Sequence, residues 1–263
     1  MDESSANREA AERQAREAVT AHVMRSLVLI VFARQGERTP YHCSGTLVVG
    51  RSGRVAVLTA AHVVQPGDLL SLVTREAFVQ DAVDDVVHAP DNLDIALAFV
   101  RDPIAVSLTG LAIGPDRFET SSARTIPKGA QLVAAGFPEQ FTFAARHPGH
   151  GWLQHRFVDI FHYTTEFNHD DRNISIVWES GHVTGDSFPY DELAVPRDTK
   201  VQFKKPNGLS GGPVYRIRST RAASLWSPSS DATLIGVATS FTNRRELALP
   251  WWRWSDWVRE ALG

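Results

Sequence analysis

The stretch Lys204–Tyr215 reads KKPNGLSGGPVY and sets Ser210 among three glycines, Gly208, Gly211 and Gly212. A backbone without Cβ atoms can take conformations that other residues resist, so the chain here can bend sharply. Such a bend holds a side chain outward and aims backbone N–H groups at one point. A plain surface turn draws on the same Gly, Ser, Asn and Pro. Taken alone, the stretch leaves Ser210 as either a nucleophile or a small turn residue.

The segments around it are short and apolar. LVLIVFA, CSGTLVVG, RVAVLTAAHVV, LLSLVT, DIALAFV, AQLVAAGF, ISIVWES and TLIGVATSF are separated by Gly, Pro, Asp and Asn. Many short strands punctuated by turn residues predict an all-β barrel or sandwich, without the crossover helices of a parallel sheet. Residues 5–25, rich in Ala, Glu and Arg, predict a helix whose stripe of Ala10, Ala18 and Val19 is thin; so narrow a stripe favours a solvated helix packed loosely on the domain. Residues 119–130 are polar and suit a junction between two β halves, and residues 138–199 are rich in aromatics and histidine. The tail PWWRWSDWVREALG predicts a closing helix with Trp254, Trp257 and Ala261 on one face.

Bulk properties narrow the class. The 263 residues suffice for one large β domain or two smaller ones. A formal net charge of −3, from 27 Lys and Arg against 30 Asp and Glu, gives no basic excess to favour nucleic acid. One cysteine, Cys43, allows no internal disulfide and points to a reducing compartment. The first 25 residues have no apolar core of a secretory leader, and no apolar run is long enough to cross a bilayer. The expectation is a soluble, cytoplasmic protein with no membrane and no nucleic-acid partner.

A serine nucleophile needs a base to take its proton. Of ten histidines, His62 closes the apolar run VAVLTAAHVV, where Ala60 and Ala61 leave room around the ring. The imidazole in turn needs a carboxylate to fix its tautomer. Asp94 opens the apolar run DIALAFV, a place where an acid is costly to bury without a partner. Asp84, Asp85 and Asp91 compete for that role, but only Asp94 is followed at once by an apolar strand. Read singly, a histidine at a strand end such as His62 is more often structural, and Asp94 is no more than a turn residue.

The three stretches TAAH, DIAL and GLSGGP, in this order, resemble the triad motifs of the trypsin-like, chymotrypsin-fold serine peptidases, and the resemblance spans nearly the whole chain. It implies His62 as general base, Asp94 as orienting acid and Ser210 as nucleophile, with an oxyanion hole from the N–H groups of Gly208 and Ser210. Donors preorganised at such a site stabilise a transition state by roughly 3 kcal/mol each. CSGTLV resembles the strand before the base, LIGVATSF the strand that backs the substrate pocket, and WSDWVREAL the C-terminal helix. The implied fold is two six-stranded antiparallel barrels: a helical extension over 1–26, a first barrel over 27–118 carrying His62 and Asp94, and a second over 119–263 carrying Ser210. Thr239, Ser240 and Phe241 would then meet the substrate.

Three departures from the family matter. The residue before the serine is Leu209, where digestive members carry an acid that pairs with a freshly cleaved N-terminus, so the site is either formed from synthesis or ordered by a protein partner. Val63 stands where many extracellular members carry a cysteine bonded to the one aligned with Cys43, which leaves Cys43 a free, buried thiol. Lys204 stands where trypsin has an acid, and a cation there favours an acidic P1 side chain; it points equally well to solvent, and Phe241 narrows the pocket mouth.

The expected function is a serine endopeptidase acting on a protein or peptide substrate, with no cofactor and no metal. The alternative is a catalytically silent relative that binds peptides or partners in the same cleft. A metal-dependent reading of His147, His150, His155, His162, His169 and His182 ranks last, since their spacing matches no compact site and no cysteine accompanies them.

Overall fold

The computed structural model describes residues 3–34, 41–120, 122, 124–139, 143–147, 151–156, 158–177, 183–187, 208–218, 227, 231–242 and 245–263. After α1 (Glu3–Ser26) come β1 (Leu27–Ala33), β2 (Tyr41–Val49), β3 (Val55–Thr59), β4 (Leu69–Val73), β5 (Phe78–Val79), β6 (Val83–His88) and β7 (Ala96–Val100), then α2 (Asp102–Leu108). The second half holds β8 (Gln131–Gly136), β9 (Phe143–His147), β10 (Gly151–Arg156), β11 (Val158–Thr164), β12 (Phe167–His169), β13 (Ile174–Val177), β14 (Val183–Ser187), β15 (Pro213–Ile217), β16 (Ala232–Thr242) and β17 (Arg245–Pro250), and closes with α3 (Ser255–Leu262).

The strands form two large antiparallel sheets, in the orders β5-β4-β1-β2-β3-β7-β6 and β12-β13-β17-β16-β15-β8-β11-β14, with β9 and β10 as a separate hairpin. This is the all-β, two-barrel architecture of chymotrypsin-like type. The sheets hold seven and eight strands where six apiece were expected. Two-residue β5 extends the first, and the three-residue β12 and five-residue β14 border the second.

The first sheet is buried on both faces, which explains why its strands read as continuous apolar runs instead of alternating with polar residues. In β1 the even residues Val28, Ile30 and Phe32 join Cys43, Leu47, Val57 and Leu72 in one core. The odd residues Leu27, Leu29 and Val31 join a larger core shared with Val133, Val214, Leu234 and Trp254 of the second half. A one-residue slip of β1 would exchange the two sets, so its register against β2, with Ile30 opposite Cys43, is strongly specified.

Helix α1 is not the loosely packed helix its sequence suggested. Val19, Val23 and Met24 are buried in the larger core, the Arg25 guanidinium donates to the Gly110 carbonyl at 3.0 Å, and Ser26 Oγ meets the buried Tyr215 hydroxyl at 3.3 Å. In α3 the buried face also differs from the expected one: Val258 and Leu262 continue from the buried Trp254, four residues apart, while Trp257 and Ala261 are partly buried beside it. The segment after α2 is fastened to the second sheet by a buried ion pair between Glu119 and Arg216 of β15 and by the Glu119 N–H donating to the Leu234 carbonyl at 3.0 Å. Among the described residues no helix is long and apolar enough to cross a membrane.

Two outcomes follow from this packing. Val23→Ala removes two methyl groups from a fully buried site and should lower stability by about 2 kcal/mol, read as the midpoint of urea unfolding. Cys43 is fully buried, and burial pushes its thiol up to about 12; iodoacetamide at pH 8 should leave the native protein unmodified and alkylate it once it is unfolded.

Candidate active site

His62 sits one turn beyond β3, where the chain leaves the sheet. The turn is held by the His88 ring, whose Nε2 meets the Val64 carbonyl at 2.9 Å from β6. Asp94 lies in the turn before β7. Asp91 and Asn92 both adopt left-handed backbone there, with φ of 60° and 54°, a conformation that Asp and Asn tolerate best among residues with side chains.

The two turns bring His62 and Asp94 together. The ring Nδ1 is 2.7 Å from Asp94 Oδ2, and the His62 backbone N–H donates to Oδ1 at 2.8 Å. Both carboxylate oxygens are thereby engaged by one residue, which fixes the plane of the acid and orients the ring. Burial raises the Asp94 carboxyl, but the hydrogen bonds from the His62 ring, the His62 N–H and the Ala61 N–H outweigh it, and the group ends below the usual carboxylate range. The competing acids lie elsewhere: Asp84 pairs with Arg101 at 3.1 Å, and Asp85 and Asp91 are exposed.

Ser210 enters from the second sheet, in a turn pressed against β2. Its carbonyl accepts the Ser44 N–H at 2.9 Å, the Gly211 N–H donates to the Ala238 carbonyl at 2.7 Å, and the Gly212 N–H donates to the Leu209 carbonyl at 2.8 Å. Gly211 has φ +86°, and a Cβ there would overlap the Ser44 carbonyl oxygen and Thr59 Oγ1. Only glycine fits. Gly208 has φ +91°, and a Cβ on it would overlap the Phe137 carbonyl oxygen and lie 3.2 Å from His42 Nε2. Among the described residues, no acceptor takes the N–H of Gly208 or Ser210.

The Ser210 hydroxyl donates to the Thr239 carbonyl at 3.4 Å, and no hydrogen bond joins it to His62. Thr239 stands at an irregularity in the pairing of β16 with β17, between Ala238 and Ser240, and its Oγ1 donates to the Leu247 carbonyl at 3.3 Å. Ser240 is exposed and Phe241 half-buried. Beyond Val237, β15 ends while β16 runs on to Thr242 against β17, so one edge of β16 outruns its neighbour. Lys204, with Lys205, lies outside the described residues.

No protein-family profile matches the chain, and no curated protein matches it either. Among solved structures the chain is similar to the Rv3671c protease of M. tuberculosis in its active form, at 18% identity over 88% of this chain and 78% of that one, TM-score 0.44. It is similar to the serine endoprotease of Yersinia pestis at 15% identity over 94% of this chain and 66% of that one, TM-score 0.49. A protein designated GrC is similar at 16% identity over 92% of this chain and 95% of that one, TM-score 0.49.

Several residues of the site carried no signal in the sequence. Ser44 and His42 reach the Ser210 turn only because β2 passes beneath it, and Glu246 is buried directly across from Phe241 in the β16–β17 pair. The histidine-rich region resolves differently: His162 is buried in β11, and His169 Nε2 accepts the Ile126 N–H at 3.3 Å and packs edge-on against Trp252. His150 and His182 lie outside the described residues, as do the side chains of His147 and His155 in β9 and β10.

Burial lowers both His22 and His42 below the ordinary histidine range, Arg117 and Arg25 reinforcing it for His22 and Glu139 partly opposing it for His42. An unfolded chain then binds protons that the folded one refuses as pH falls through about 6.5, so acid favours unfolding there. The melting temperature should drop between pH 7.5 and 5.5, and His42→Gln should flatten part of that slope in a calorimetric series.

Proposed function

We propose that the protein is a serine endopeptidase that cleaves a protein or peptide substrate through an acyl-enzyme. The observation that carries this reading is the two-point contact of His62 with Asp94, ring Nδ1 at 2.7 Å and backbone N–H at 2.8 Å, together with a Ser210 turn in which, among the described residues, no acceptor takes the Gly208 and Ser210 N–H groups. Asp94 holds the proton on Nδ1, so Nε2 carries the lone pair that a base requires.

In this mechanism the Ser210 hydroxyl rotates about χ1 from the Thr239 carbonyl towards His62. As Oγ bonds to the scissile carbonyl carbon, His62 Nε2 takes its proton, and the carbonyl oxygen becomes an oxyanion received by the N–H groups of Gly208 and Ser210. His62 then gives the proton to the leaving amine as the C–N bond breaks. Water repeats the sequence on the acyl-enzyme, losing a proton to His62, and Ser210 is restored. An extended substrate adds alongside Thr239, Ser240 and Phe241, where the edge of β16 outruns β15, so main-chain hydrogen bonds supply affinity largely independent of side chains.

The full chain should react with a fluorophosphonate probe at Ser210. Ser210→Ala and His62→Ala should each reduce turnover by roughly 10⁶-fold, and Asp94→Asn by about 10⁴-fold through loss of the tautomer. A folded wild-type chain that stays unlabelled would instead identify a peptide- or partner-binding module.

A further inference from the structure

Leu209 is 3% exposed, its side chain sunk in the larger core beside Gly136. An aliphatic residue there offers no charge to hold the turn that presents Ser210, so the turn must be held by something else. Every polar atom of Ser44, itself fully buried in β2, is committed to a hydrogen bond. The N–H donates to the Ser210 carbonyl at 2.9 Å, and Oγ donates to the Gly208 carbonyl at 2.7 Å. Oγ also accepts the Phe137 N–H at 2.9 Å, and the carbonyl accepts Thr59 Oγ1 at 2.8 Å.

These contacts fix three consecutive peptide planes. The 208–209 plane is held by Ser44 Oγ, the 209–210 plane by the Gly212 N–H on the Leu209 carbonyl at 2.8 Å, and the 210–211 plane by the Ser44 N–H. The Ser210 N–H belongs to the middle plane, and its direction follows from the other two. Ser44 in turn is immobile, because β2 lies between β1 and β3, with Leu29 opposite Ser44 and Leu58 opposite Thr46.

We propose that Ser44 is the positioning residue of this site: it clamps the nucleophile turn from the opposite sheet, so that the Ser210 N–H, one of the two oxyanion donors, is aligned by the fold itself, without a cleaved N-terminus or an activating partner. This rests on the serine-peptidase reading above. The clamp touches neither substrate nor His62. It acts through Gly208 and Ser210, and its loss should slow the chemical step without altering ground-state binding or the protonation of the base.

The test uses the full chain, as wild type, Ser44→Ala and Ser44→Thr, without any processing step. Fluorophosphonate inactivation is resolved into a maximal rate and a half-saturating concentration, and amide hydrogen exchange is followed over 208–212. Ser44→Ala should lower the maximal rate about 10²-fold, the scale of a misplaced reacting group, with the half-saturating concentration and the pH midpoint unchanged and exchange over 208–212 accelerated. Ser44→Thr, which retains the hydroxyl, should restore most of the rate. Should the alanine variant fail to fold, Ser44→Cys keeps the size and weakens the hydrogen bond, and is read in the same way. Unchanged rate and unchanged exchange in Ser44→Ala overturn the clamp. A wild-type chain that resists the probe while Ser44→Ala still loosens 208–212 overturns the peptidase reading and the partner-free assembly, and upholds the clamp.

Discussion

The Ser210–Gly211 backbone lies against β2, hydrogen-bonded to Ser44, with no room for a side chain at Gly211. At Gly211 a Cβ would occupy the space of the Ser44 carbonyl oxygen in β2 and of Thr59 Oγ1 in the neighbouring β3. This contact joins the sheet that carries His62 and Asp94 to the sheet that carries Ser210. Glycine is required because the two backbones approach within hydrogen-bonding range, and the same closeness makes the hydrogen bonds from Ser44 possible. A looser junction would leave the two halves of the site free to drift, and a reacting group displaced by about an ångström costs orders of magnitude in rate.

The electrostatics follow the same plan. Asp94 is a half-buried carboxylate whose two oxygens are both occupied by His62, so its charge is spent on orienting one ring. Away from the site, the buried pair of Glu119 and Arg216 ties the connecting segment to β15. Breaking a buried pair of this kind leaves an uncompensated charge, whereas forming it adds little net stability; its value lies in specifying where the connector runs. The lone thiol is buried among aliphatic side chains, far from ionising.

Some of this was legible in residue order alone. The apolar strands were visible because both faces of the first sheet are buried, which turns an alternating pattern into unbroken runs such as LVLIVFA. The nucleophile turn was visible because three glycines in five residues are rare outside a backbone constraint. Other features had no local signature. The buried turns of α1 are indistinguishable in sequence from a solvated helix with a thin apolar stripe, since what buries Val19, Val23 and Met24 is a surface assembled from distant strands. In α3 burial falls on Val258 and Leu262, which follow the buried Trp254 at four-residue intervals, while Trp257 and Ala261 are only partly buried.

The amino-acid sequence determined the strand content, the glycine-bound turn and the residue types able to support acyl transfer, because backbone conformation, apolar periodicity and side-chain chemistry are properties of short segments. Only the tertiary structure decided that Ser44, 166 positions from Ser210 along the chain, holds the Ser210 turn, that both Asp94 oxygens meet His62, and that the edge of β16 outruns β15. Those are distances between segments, and a distance between segments is set by how two sheets pack over shared cores, which no window of the sequence contains.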